Sequence, residues 1–225
     1  MKRRIFGNPG PKEKGGGHCG SPRRPLTPEE VVRLERTPCG RQAVKDAFLF
    51  SCYTGLRLSD ILRLRLRDLK LFSRRLWIDI MSKKRGNHLR IPLSRCAQRV
   101  IGHRAGGYLS SLRHGDPDTM PQGDSILFGE LPSPTTIRIH IKRWCEEAGI
   151  GRRVCFHSAR HTFATSLVDA GVDLYIVAEL LGHRSVRTSC VYARVPERRM
   201  REEMERLDVL MREAVTECGP RDECD

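Results

Sequence analysis

The stretch RRLWIDIMSKKRGNHLRIPL, residues 74–93, decides the fold class, because its period differs from everything around it. RRLWIDIM (74–81) and HLRIPL (88–93) are short, rich in β-branched and aromatic residues, and separated by the turn SKKRGN. That pattern reads as an antiparallel hairpin whose tip is basic and carries Lys83 and Lys84.

Outward from the hairpin the apolar spacing is helical in both directions. Upstream, Thr27-Pro28-Glu29-Glu30 has the form of a helix start: a Thr cap, Pro at the first helical position and Glu at the third. RQAVKDAFLFSCY, within 40–53, predicts a second helix, Thr54-Gly55 breaks it, and Leu58-Ser59-Asp60-Ile61-Leu62 begins another. Downstream, helices are predicted at about 95–113, 135–149 and 157–170, the last stopped by Ala170-Gly171, with a loop at 114–124. A short helix over 172–181 closes at Gly182, and 197–214 places Met200, Met204, Leu207 and Met211 on one stripe. The predicted fold is mainly α with a small antiparallel β-sheet. Residues 1–25, rich in Gly, Pro and Lys, read as a linker or disordered lead-in, and 216–225 as a disordered tail.

Length and composition narrow the class. A chain of 225 residues with 39% hydrophobic and 30% charged residues has enough length for a proper core. No apolar run approaches the roughly 20 residues needed to cross a bilayer, and MKRRIFGNPGPKEKGGG lacks the apolar segment of a signal peptide, so a cytoplasmic protein is expected. Lys+Arg of 41 against Asp+Glu of 27 gives a net charge of +14, spread along the chain, which attracts a polyanion and chiefly nucleic acid. Cys19, Cys39, Cys52, Cys96, Cys145, Cys155, Cys190, Cys218 and Cys224 form no CxxC pair and no finger spacing, so reduced thiols are expected and no metal site.

Chemistry-bearing residues gather late in the chain. His157 and Arg160 stand three apart on a predicted helix, His183 follows the Gly182 turn, and Tyr192 comes nine residues later. Arg57 and Asp60 are likewise three apart, just after Thr54-Gly55. Two arginines, a lysine, two histidines and a tyrosine suit metal-free chemistry on a phosphodiester. Guanidinium forks match the phosphate oxygens, a tyrosine hydroxyl can become covalently phosphorylated, and a lysine or histidine can protonate the leaving oxygen.

In this order and at these spacings, TGLRLSD (54–60), the lysine hairpin ahead of RIPL, HSARHTFAT (157–165), LGH (181–183) and VYARV (191–195) resemble the tyrosine recombinases, or phage-type integrases. The resemblance covers about residues 26–200 and implies the catalytic-domain fold of that family, with 201–225 as a C-terminal helix and tail. It implies that Arg57 and Arg160 clamp the scissile phosphate, that Lys84 protonates the leaving 5′ oxygen, and that Tyr192 is the nucleophile of a 3′-phosphotyrosine. It further implies that His157 assists proton transfer from the tyrosine, that His183 hydrogen-bonds the phosphate and that Asp60 orients the site. Lys83, one residue from Lys84, stays open as the acid. The implied partners are double-stranded DNA and further copies of the chain, a tetramer on DNA, with no cofactor, no membrane and no small-molecule substrate. The implied source is a mobile element. Family members usually carry an N-terminal helical domain gripping the other face of the DNA, and residues 1–25 resemble the linker after it, so a truncated, excised or minimal form is expected.

Each piece alone has an ordinary explanation: a solvated His-x-x-Arg face, a tyrosine in a core, lysines at a hairpin tip. His161 reads as structural, packed against the helix or supporting Arg160, and His88, His103, His114 and His140 as surface or core residues. The Met stripe reads as core, or as the face of a C-terminal helix that docks on a neighbouring subunit. Two other functions stay open: a type IB topoisomerase-like enzyme that reseals the same strand, and a non-catalytic DNA-binding remnant.

Overall fold

The computed structural model describes residues 24–83, 86–114, 123–183 and 185–189, together with positions 201, 204, 205 and 207–209. Helix α1 (Pro28–Arg36) starts as its sequence dictates: Thr27 N–H donates to Glu30 Oε2 at 2.8 Å, and Glu30 N–H donates to Thr27 Oγ1 at 3.3 Å. The chain leading into it is held across the molecule, since Leu26 N–H donates to Thr162 Oγ1 at 2.9 Å and Arg152 Nη2 to the Pro25 carbonyl at 2.8 Å.

Helix α2 (Gln42–Thr54) is the central strut. Its apolar residues point every way, as expected for a helix with neighbours on all sides. Phe48 meets Trp144 and Phe156 edge-on at 5.8 and 5.9 Å, and Phe50 lies 5.4 Å from Phe128. These contacts tie α2 to α5 (Pro134–Glu147) and to α6 (Phe156–Asp169). Asp46, also buried on α2, accepts from Gln42 Nε2 at 2.7 Å, Arg104 Nε at 2.9 Å and His103 Nε2 at 3.1 Å. The Arg104 and His103 donors bolt α2 to α4 (Arg95–His114), because a buried carboxylate stripped of its partners is strongly destabilising. His103 therefore takes the ordinary structural role expected of it.

The sheet has one strand more than the hairpin alone. Strand β1 (Leu69–Phe72) pairs antiparallel with β2 (Arg75–Met81), which pairs antiparallel with β3 (His88–Pro92). The two-residue turn between β1 and β2 has φ of 47° at Ser73 and 60° at Arg74. Positive φ at both central positions is the hairpin geometry that matches strand twist, normally signalled by Asn or Gly, and Ser-Arg hides it. In register, Ile78 faces Leu69 and Ile91, and Ile80 faces Leu89. Leu69, Leu76, Ile78, Leu89 and Ile91 are buried on the inner face. On the outer face the Arg90 guanidinium stacks 4.6 Å from the Phe72 ring.

Other boundaries move by a residue or two. Helix α5 starts at Pro134 because Ser133 Oγ accepts from Thr136 N–H at 3.3 Å. Helix α7 (Leu174–Leu180) starts later than the apolar run because Asp173 caps it, accepting from Tyr175 N–H at 2.7 Å. The predicted loop at 114–124 and the residues before 24 fall largely outside the described residues. Of the segment 197–214, positions 201, 204, 205 and 207–209 are helical, and Met204, Leu207 and Val209 are exposed, not core. Met200 and Met211 lie outside the described residues.

Candidate active site

Three chain segments far apart in sequence meet at Arg160. The first is the corner after α2. Gly55 ends that helix with φ of 70°, its N–H donating to the Ser51 carbonyl at 2.8 Å. A Cβ there would lie 2.5 Å from Phe163 Cδ1, so the bare backbone lets the corner sit directly on α6. Ser51 Oγ fastens the next peptide by donating to the Leu56 carbonyl at 2.8 Å. This fixes Arg57, which is half-buried and precedes the single-turn helix α3 (Leu58–Ile61).

The second segment is α6 itself. Arg160 is only 3% exposed, and its guanidinium donates to the Gly55 carbonyl from Nη1 at 2.7 Å and to the Leu181 carbonyl from Nη2 at 2.6 Å. Nη2 also lies 3.1 Å from His183 Nε2. These three acceptors bear no full charge, so they orient the fork without neutralising it. His157, three residues earlier, is exposed, so the expected pair does not share one environment. The α6 face turns from core to surface between them. His161 packs edge-on against His157, with ring centroids 4.5 Å apart.

The third segment is the end of α7. Its last turn closes in a Schellman motif, with His183 N–H on the Ala178 carbonyl at 2.8 Å and Gly182 N–H on the Glu179 carbonyl at 2.8 Å. Gly182 has φ of 59°, and a Cβ on it would meet Leu89 Cδ1 of β3 at 3.3 Å. The glycine turn thus sets both the Leu181 carbonyl and the His183 ring against Arg160. On the far side of that ring, Nδ1 lies 2.9 Å from Ser189 Oγ, and Ser189 is fully buried.

Asp60 carries the sheet into the same neighbourhood. Its side chain is fully buried, and Oδ1 accepts the backbone N–H of Lys83 at 3.0 Å, with Arg63 Nη2 at 4.0 Å. The hairpin tip is closed by Ser82 N–H on the Asn87 carbonyl at 2.8 Å. The backbone just ahead of the second lysine is therefore pinned to α3. Lys83 is exposed. Lys84 and Tyr192 lie outside the described residues. Among the described residues no group of three or more His, Cys, Asp or Glu is arranged to hold a metal ion.

Sequence reasoning found the side chains but missed the main-chain acceptors at Gly55 and Leu181, and it missed Ser189. Carbonyl acceptors leave no mark in a sequence. Ser189, six residues past His183 in a stretch without periodicity, gives none either.

Comparisons with known proteins bear on this arrangement. The phage integrase family model matches residues 24–199. The tyrosine recombinase XerA of Pyrococcus furiosus is 30% identical over 186 residues, which cover 82% of this chain and 62% of that protein. The tyrosine recombinase XerC of Natranaerobius thermophilus is 32% identical over 193 residues, covering 79% of this chain and 60% of that one. The chain spans about two fifths to three fifths of the length of the curated relatives it matches. Among solved structures, that of XerA recombinase superposes with a TM-score of 0.59 at 22% identity, covering 86% of this chain and 66% of the other. A Tn1549 transposon integrase in complex with transposon right-end DNA gives 0.61 at 22% identity, covering 84% and 67%.

Proposed function

The chain belongs to the phage integrase family, the tyrosine recombinases, and we propose on that footing that it is the strand-cleaving domain of a site-specific DNA recombinase. The observation that carries this reading is the buried Arg160 fork, held by Gly55 of the TGLRLSD stretch and by Leu181 and His183 of LGH. A guanidinium so fixed, with Arg57 two residues after Gly55 on the α2–α3 corner, is suited to binding the non-bridging oxygens of a phosphodiester.

The reaction follows from the residue types. Tyr192 Oη attacks phosphorus, forming the Tyr–O–P bond as the P–O5′ bond breaks. His157 takes the tyrosine proton, and Lys84 gives one to the departing 5′ oxygen. Arg57 and Arg160 stabilise the charge that builds on the phosphoryl oxygens, and His183 hydrogen-bonds the same group. Attack by the 5′ hydroxyl of a partner strand then reverses each transfer and frees Tyr192. One phosphodiester is exchanged for another through a phosphotyrosine of similar energy, so the exchange itself needs no nucleotide hydrolysis. Asp60 sets the hairpin by holding the Lys83 amide.

The substrate is duplex DNA, in keeping with a net charge of +14. Exchange between two duplexes requires four cleaved strands, hence four copies of the chain. The exposed Met204, Leu207 and Val209 are apolar surface of the kind that a neighbouring copy covers. We assign the chain to a mobile element acting in the compartment that holds the DNA, the cytoplasm. No helix among the described residues is long and apolar enough to cross a membrane.

The test is a nicked duplex carrying the element's attachment core, incubated with protein and EDTA and run on a denaturing gel. A covalent protein–DNA band that vanishes in Tyr192→Phe is expected, together with joined strands from two different duplexes. Resealing of the same strand alone would replace recombination by a topoisomerase-like activity, and binding without a covalent band would overturn the catalytic reading.

A further inference from the structure

His183 is gripped from both sides, and the chemistry of its two neighbours fixes where its proton sits. Arginine can only donate, so the Arg160 Nη2 contact at 3.1 Å requires a lone pair on His183 Nε2. The neutral ring must then carry its hydrogen on Nδ1, which lies 2.9 Å from Ser189 Oγ. Ser189, itself fully buried, accepts that hydrogen.

We propose that Ser189 is a positioning residue of the active site: its hydroxyl holds the Nδ1–H tautomer and the plane of His183, and through His183 it holds the Arg160 fork. The inference deepens the recombinase reading and rests on it for its catalytic consequence. It has a second consequence in the chain itself. Ser189 stands three residues before Tyr192, so the segment that delivers the nucleophile is tied to the phosphate clamp by one hydrogen bond. The seryl hydroxyl acts on the reaction only through His183 and touches no reacting atom.

The test uses the whole chain labelled with ¹⁵N-histidine. Two-bond ¹H–¹⁵N spectra without DNA are expected to show His183, identified by its loss in His183→Asn, with the proton on Nδ1. Ser189→Ala is expected to move it toward a mixture of tautomers, and Ser189→Thr, which keeps a hydroxyl, to restore it. On a suicide substrate at saturating DNA, Ser189→Ala is expected to slow covalent-complex formation about tenfold, the lower end for removing a partner behind a working histidine, with DNA affinity unchanged. A wild-type ring protonated on Nε2, or a Ser189→Ala protein that matches wild type in both tautomer and rate, overturns the proposal. If the wild-type chain forms no covalent complex at all, the recombinase reading fails while the spectra still decide the Ser189–His183 bond.

Discussion

Arg160 Nη1 and the carbonyl oxygen of Gly55 lie 2.7 Å apart, so the residue that terminates α2 is also an acceptor for the buried guanidinium. Gly55 has φ of 70°, and an added Cβ would fall 2.5 Å from Phe163 Cδ1. Gly55→Ala therefore combines left-handed strain with overpacking, and it is expected to lower stability by about 2 kcal/mol or more. Because the carbonyl must shift with the corner, covalent-complex formation should fall by about 100-fold. Urea denaturation and suicide-substrate cleavage check the two halves separately.

Arg160→Lys keeps the charge and loses the fork. A single ammonium cannot reach Gly55, Leu181 and His183 together while also presenting two parallel donors to a phosphate. Cleavage is expected to drop by about 100-fold or more while DNA affinity falls little, since a positive charge remains. A variant that cleaves at the wild-type rate would show that the bidentate geometry is not what the reaction uses.

Asp60 is expected to act through the hairpin. Asp60→Asn retains an oxygen for the Lys83 amide at 3.0 Å and should cleave nearly as wild type, whereas Asp60→Ala loses it and should slow cleavage by about tenfold or more. If the defect lies in delivering the lysine proton, a substrate with sulfur in place of the bridging 5′ oxygen should rescue Asp60→Ala, because a thiolate leaves without an acid. Failure of that rescue would move the role of Asp60 from the lysine to Arg57.

The readable and unreadable parts of this protein divide along physical lines. Local signals were legible: the Thr27–Glu30 box, the β2–β3 hairpin and the Gly182 stop all act within a few residues and left their chemistry in the sequence. Strand β1 did not show, because Ser73-Arg74 adopts positive φ without the Asn or Gly that announces it. The Asp46 cluster joins residues more than fifty positions apart, and no spacing rule connects them. At the site, side-chain identities in order singled out Arg57, Asp60, His157, Arg160 and His183, of which the fold brings Arg160 and His183 into contact. The acceptors that aim Arg160 are peptide oxygens, which every residue possesses, so only the fold reveals them.

Stability at low pH should be governed in part by Glu30. Hydrogen bonds from Arg152 hold its carboxyl below the usual carboxylate range, against the opposing effect of burial, and the same pair pushes Arg152 up. A carboxylate whose pKa is lowered on folding stabilises the protein above its unfolded pKa of about 4.3, and that contribution is lost as pH falls through the folded value. Glu30→Gln keeps the cap but loses the ion pair. It is expected to cost about 1 kcal/mol at pH 7, with wild type and variant drawing together as pH falls below the unfolded value and through the lowered folded one. Denaturation curves from pH 7 into the acid range check this, and a gap that does not change with pH would assign the effect to packing.

Thiol reactivity should follow burial. Desolvation pushes the Cys52 thiol far above its ordinary range, with Cys145 adding to it, and pushes Cys145 up to about 12. At pH 8 neither is expected to react with a disulfide reagent in the folded protein, and both should react after denaturation, as mass mapping of labelled peptides would show.

The three anchors of Arg160 also impose an order in time. Gly55 and the arginine leave the ribosome well before Leu181 and His183, and synthesis runs from the N-terminus at about 5–20 residues per second. Until residue 183 has emerged, the guanidinium lacks the acceptors that Leu181 and His183 supply. Tyr192 comes later still. A nascent or prematurely ended chain is thereby disarmed: the fragment that can already bind a polyanion holds no nucleophile, and the nucleophile joins a clamp whose last acceptors precede it by only nine residues.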